Sequence, residues 1–148
     1  MEQKRMAPSR EITILAIAGG LGFWAANFAI SLTPIAAEYR AALSISYLPM
    51  LLESLLGGLL IGFGVSYVLL RFGDKLPAKT PILKSVILSF SALSMVTLLL
   101  EVPAKFFTPT NEAVRYFLIA TLFNVIRILA LGIVIGYLYD NFNRSVSK

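Results

Sequence analysis

The chain has 148 residues, of which 57% are hydrophobic and 14% charged, against the roughly 25% charged residues of an ordinary soluble domain; with a mean hydropathy of +0.80 this is the composition of a membrane protein. It contains neither cysteine nor histidine, which removes disulfides, thiolate nucleophiles, the commonest general base and the commonest metal ligands, so no cofactor is expected. The formal charge of +5 invites a nucleic-acid reading, but the basic residues flank apolar segments, where positive charge sets orientation, and no nucleic-acid partner is expected.

Four apolar segments, residues 12–32, 47–70, 81–100 and 112–139, each reach the ~20 residues that a helix needs to cross a bilayer, whereas spanning strands would be ~10 residues long and alternate polar with apolar. The expected fold is a single all-α integral membrane domain over residues 1–148, a compact bundle of four transmembrane helices. The first segment follows the basic stretch "KRMAPSR". Its length exceeds the 7–15 apolar residues of a signal peptide, so it reads as a retained span. Ala18, Gly22 and Ala26 recur along it at four-residue spacing and offer a small-residue contact face.

The connection "TPIAAEYRAALSI", residues 33–45, reads as a short external helix near the membrane interface, with Glu38 and Arg40 in solvent. The second segment, "YLPMLLESLLGGLLIGFGVSY", carries one acid, Glu53, and a stripe of small residues at Ser54, Gly58, Gly62 and Ser66, widened by Gly57 and Gly64. Such stripes let helix backbones approach closely in lipid, where no hydrophobic drive exists between helices. The loop "RFGDKLPAKTPILK" brings four basic residues to the membrane surface, suited to anionic headgroups.

Thr80-Pro81 marks the start of the third helix, a capping hydroxyl followed by proline in the first turn, and Pro103 its stop. Ser85 and Ser89 share a face, while Ser91, Ser94 and Thr97 spread around the helix; these hydroxyls read as packing groups that bond their own preceding carbonyls. Thr108-Pro109 marks the fourth helix in the same way. Its run "RYFLIATLFNVIRILALGIVIGY" holds Asn124, Arg127 and a second small-residue pair, Gly132 and Gly136. The end, "YDNFNRSVSK", reads as a short solvated tail.

Nine basic residues, Lys4, Arg5, Arg10, Arg71, Lys75, Lys79, Lys84, Arg144 and Lys148, lie on the side of the termini and central loop, against Arg40, Lys105 and Arg115 on the other. The positive-inside rule then predicts both termini in the cytoplasm, in the plasma membrane. A shift of half the chain lays "GLLIGF" over "GIVIGY" and Glu53 over Arg127, the pattern of a two-hairpin parallel repeat.

Charge at the centre of a spanning helix costs ~2.5–3.5 kcal/mol by insertion scales, so neither Glu53 nor Arg127 should face lipid alone. The expectation is a Glu53–Arg127 ion pair between the second and fourth helices. Asn124, one turn from Arg127, and Asn27 on the first helix would complete an intramembrane polar cluster. Lacking a nucleophile with an adjacent base, the chain is expected not to be an enzyme. The leading functional expectation is an accessory or scaffold subunit of a larger membrane complex, with lipids and other membrane subunits or further copies as partners. The alternative is a small homo-oligomeric transporter or channel for a proton, ion or small solute.

Overall fold

The computed structural model describes residues 7–103 and 112–146. Helix α1 spans Pro8–Ser31, α2 Pro34–Ala42, α3 Tyr47–Phe72 and α4 Pro81–Val96, which continues through a π-helical turn at Thr97–Glu101; α5 spans Ala113–Val146. Helices α1, α3, α4 and α5 are each long and apolar enough to cross a membrane. The chain is therefore an all-helical integral membrane bundle whose outward apolar side chains meet lipid.

Helix starts follow local chemistry. Thr33 and Thr80 accept hydrogen bonds from the amides of Ala36 and Leu83 at 3.3 Å, and Pro34 and Pro81 occupy the first turns, where their missing N–H groups leave nothing unsatisfied. Thr108-Pro109 lies outside the described residues. Helical conformation persists through Pro103, so the proline expected to stop the third helix sits within its last described turn. Past Tyr139 the chain stays helical to Val146, with Arg144 and Asp140 paired at 2.8 Å one turn apart. The expected solvated tail is instead helix up to that point, since the i,i+4 charges support it.

The exit from α2 turns on Ser44, which holds a positive φ of 53°. The amides of Ser44 and Ile45 return to the carbonyls of Ala41 and Arg40 at 3.3 and 2.9 Å, closing the end of the helix in a Schellman arrangement. Glycine is the residue at ease there, because a left-handed backbone crowds any Cβ. Ser44→Gly is expected to raise stability by about 1 kcal/mol in reversible denaturation in mixed micelles, while Ser44→Ala, which keeps the crowded Cβ, brings no gain.

Helix α1 packs against both α3 and α5, and α4 packs against α5 and more loosely against α3, which leaves α3 and α5 on a diagonal of the bundle. The contacts are set by residues too small to hold helices apart. A Cβ added at Gly62 would lie 2.8 Å from the Ala16 carbonyl oxygen, and one at Gly136 would lie 2.5 Å from Ile82 Cα. Ser54, Gly58, Gly62, Ser66, Gly132 and Gly136 are all buried. On α1 the small residues work on two faces, with Gly20 against Leu59 of α3, and Gly19 and Gly22 against Ile135 and Val134 of α5. Gly57 and Gly64 differ from the expected widening of the α3 stripe, because nothing lies within 4 Å of a Cβ built there.

Toward the chain termini the bundle is tightly filled. Leu15, Leu69, Ile128, Leu131 and Ile135 are fully buried, with Val65 and Phe23 beside them. Ser85 and Ser89 face into this packing and Ser91 and Ser94 are exposed; Ser89, Ser91 and Ser94 donate back to the carbonyls of Ser85, Ile87 and Phe90, whereas the buried Ser85 hydroxyl does not make the expected bond to its own helix and has no partner among the described residues. Toward the other end, Ile30, Ala36 and Phe123 form a smaller cluster that joins α1, α2 and α5.

Candidate functional site

The smaller cluster borders a cavity of about 480 Å³, within the ~300–1,000 Å³ of pockets that hold small organic ligands. Asn27, Ile30 and Ser31 line it from α1, Met50 and Glu53 from α3, and Phe123, Asn124 and Arg127 from α5; Ala36, Tyr39 and Arg40 of α2, with Leu43 just beyond its end, roof it. Asn27, Glu53, Asn124 and Arg127 thus share one cavity. Among the described residues α4 contributes nothing to its wall.

The geometry differs from a direct ion pair. Ion pairs among the described residues include Arg115–Glu38, Arg115–Glu112 and Arg144–Asp140, and Glu53 takes part in none of them. The reason lies in the packing order: α3 and α5 face one another across the diagonal, separated by the cavity itself. Arg127 instead donates from Nε to the carbonyl of Phe123 at 3.2 Å and lies over the ring of Phe23, 5.8 Å from its centroid. Its charge is partly met by a carbonyl dipole and by the aromatic face of Phe23, which belongs to the packed cluster next to the cavity. Glu53 is exposed.

Asn27 is only 3% exposed, and its Nδ2 has no hydrogen-bond partner among the described residues. A buried amide donor left unpaired costs about 1–3 kcal/mol. That cost falls on a side chain in the cavity wall, where a ligand or water can meet the donor.

The roof is fixed by side chains at both edges. Arg40 donates from Nη1 to the Ser31 carbonyl at 3.1 Å and lies over the Tyr47 ring at 5.1 Å, joining α2 to the end of α1 and the start of α3. Ser31 Oγ gives its proton to the Phe28 carbonyl at 2.6 Å, so the hydroxyl of Tyr47, 3.2 Å away, donates to Ser31 Oγ. On the other edge, Glu38 meets Arg115 of α5 at 2.7 Å, and the Tyr39 ring meets Tyr116 and Phe123 edge-on.

Sequence reasoning left Arg40 in solvent, whereas the structure half-buries it as the roof clamp; Glu38 is exposed as expected, though paired. The available signal was the end of α1. Its unpaired carbonyls attract cations, and an arginine on a short connecting helix is within reach of them.

Comparison with protein families, with curated proteins and with solved structures finds no match for this chain. The site's chemistry therefore rests on its own geometry: Asn27, Asn124, Arg40, Arg127 and Glu53 about a largely apolar hollow. Among the described residues no group of histidine, cysteine, aspartate and glutamate is assembled that would hold a metal ion.

Proposed function

We propose that this protein is a non-enzymatic plasma-membrane protein that holds a small solute in the cavity between α1, α3 and α5, in the manner of a small transporter. The observation that carries the reading is that four polar side chains of the spanning helices, Asn27, Glu53, Asn124 and Arg127, border one hollow and that Glu53 does not close on Arg127 as a staple. Polar groups within a spanning bundle mark a ligand or ion path by default. With both termini cytoplasmic, as the flanking basic residues favour, the cavity lies in the outer half of the membrane. The packed layer of Leu15, Leu69, Ile128, Leu131 and Ile135 then closes the inner half. Passage through such a bundle requires helices to rearrange about a fixed site, and is not that of a standing pore.

The halves of the chain lend themselves to that motion. Gly58 and Gly62 bring α3 onto α1, and Gly132 and Gly136 bring α5 onto α4, so corresponding glycines of the half-chain repeat form the tight contact within each hairpin. A second reading, as an accessory subunit, is favoured by the open surface at Gly57 and Gly64, which allows another helix to approach α3 closely.

The test uses the absence of native cysteine. Asn27→Cys in intact cells is expected to react with an impermeant thiol reagent added outside, while Ser85→Cys in the closed half stays inert. If Asn27→Cys is as inert as Ser85→Cys in folded protein, the cavity is closed to solutes and the solute-holding reading fails. Reaction only in inside-out vesicles reverses the orientation.

A further inference from the structure

We infer that the cavity takes an uncharged amphiphile, an apolar body whose head is a hydroxyl or a carboxamide and so both donates and accepts hydrogen bonds. The inference rests on the solute-holding reading and adds the class of ligand.

Asn27 is the buried side chain of the wall whose bonding is incomplete. It is 3% exposed, its Nδ2 has no partner, and it makes no hydrogen bond to any described residue. The polar groups about it are engaged or solvated. Ser31, one turn along α1, donates to the Phe28 carbonyl and accepts from Tyr47. Arg40 holds the Ser31 carbonyl, Arg127 holds the Phe123 carbonyl, and Glu53 is exposed. A carboxamide offers a donor and an acceptor together, and leaving it unbonded in a buried place is costly.

Water could meet Asn27, but the space is larger and less polar than that need. The hollow measures about 480 Å³, against ~30 Å³ for one water in the liquid. Ile30, Ala36, Met50, Ala120 and Phe123 contribute apolar surface to its wall from four helices. Filled with water, those surfaces stay wet; an apolar body removes them from water.

The same surroundings disfavour a charged head. An ion entering the hollow gives up hydration. The guanidinium groups that would offset this for an anion already have protein partners, and the carboxylate that would offset it for a cation is itself exposed. A hydroxyl or carboxamide gives up less. It also answers Asn27 whichever way the amide is turned, because donor and acceptor sit side by side on both groups. A carboxylate head answers one orientation of the amide and an ammonium head the other.

The experiment uses the full chain reconstituted in phosphatidylcholine vesicles with one reporter, Met50→Cys, on the cavity wall. The rate of labelling by a small impermeant thiol reagent is followed with 4-phenylbutanamide, its N,N-dimethyl derivative, 4-phenylbutyrate or 4-phenylbutylamine present. All share one apolar body, and the dimethyl amide is uncharged but has lost its donor. 4-Phenylbutanamide is expected to slow labelling saturably, at a concentration about tenfold below that needed of the others, the usual effect of one buried hydrogen bond. Adding Asn27→Leu should abolish that preference. Ser44→Cys, on the exposed turn, is expected to show no protection.

Equal protection by the dimethyl amide, the acid or the amine overturns the assignment. So does a preference that Asn27→Leu leaves unchanged or that Ser44→Cys shares. Labelling that no probe slows means that water alone meets Asn27, and overturns it too. Each of these leaves the solute-holding reading standing. If Met50→Cys does not react at all while Ser44→Cys does, the open cavity itself fails and the assignment with it. Ala113→Cys, on the α5 side of the cavity, serves as reporter if the Met50 variant does not fold, and Asn27→Ala replaces Asn27→Leu on the same ground. Slowing by a monoacylglycerol in the vesicles without a soluble probe, lost with Asn27→Leu, identifies the bilayer as the source of the ligand; protection by the soluble amide alone identifies the aqueous phase. Both outcomes support the assignment.

Discussion

Gly136→Ala is expected to lower stability by about 1–3 kcal/mol, and Gly62→Ala by a similar amount, although each adds only one methyl group. The added carbon at position 136 would meet Ile82 Cα at 2.5 Å, with the Ile82 nitrogen and the Pro81 carbonyl oxygen at 3.1 Å. All three are backbone atoms at the start of α4, so relief requires the helices themselves to separate. At position 62 the obstacle is again backbone, the Ala16 carbonyl oxygen at 2.8 Å. Gly19 gives an intermediate case: its nearest neighbours are Ile135 side-chain atoms at 2.6 Å, part of which can rotate away. Gly57→Ala and Gly64→Ala meet nothing within 4 Å. They should be neutral or stabilising by up to about 1 kcal/mol, because alanine is the better helix former. Equilibrium unfolding of the five variants in mixed micelles checks the ranking. Equal losses at positions 57 and 136 would overturn the account of packing by close backbone approach.

That ranking also marks the boundary of what the sequence carries. Segment length and hydropathy identify four spanning helices because the bilayer imposes a minimum apolar length. Thr80 and Pro81 similarly identify a helix start because their chemistry acts within one turn. Four-residue spacing puts Gly57 near Gly58 without telling which of them faces a neighbour. That depends on the rotation of α3 about its axis, set by contacts with α1 that are distant in sequence. The polar side chains on the cavity were recognisable from their cost in lipid. Their arrangement was not, since an ion pair and a shared hollow satisfy the same demand and differ only in which helices are adjacent. With α1 packed against both α3 and α5, Glu53 and Arg127 face the hollow from opposite sides of a diagonal.

The roof over that hollow should depend on one arginine far more than on the shorter ion pair beside it. Arg40→Met, which keeps an apolar stem of similar reach, is expected to cost about 2 kcal/mol or more. It removes a charge-assisted hydrogen bond worth roughly 1.5–3 kcal/mol and a cation–π contact worth roughly 0.5–2 kcal/mol. Both partners belong to the neighbouring helices, the Ser31 carbonyl ending α1 and the Tyr47 ring opening α3, and Arg40 itself is half-buried. Glu38 and Arg115 approach more closely, at 2.7 Å, but their side chains are 48% and 52% exposed. Glu38→Gln should therefore cost less than about 1 kcal/mol, because water and salt screen exposed pairs. Their salt responses should differ as well: raising ionic strength narrows the gap between wild type and Glu38→Gln and leaves most of the Arg40→Met loss in place. Denaturation of both variants in mixed micelles at two salt concentrations measures this. A loss at Arg40 no larger than at Glu38 would mean that α2 is held by its apolar contacts with Ile30 and Phe123 and not by the guanidinium.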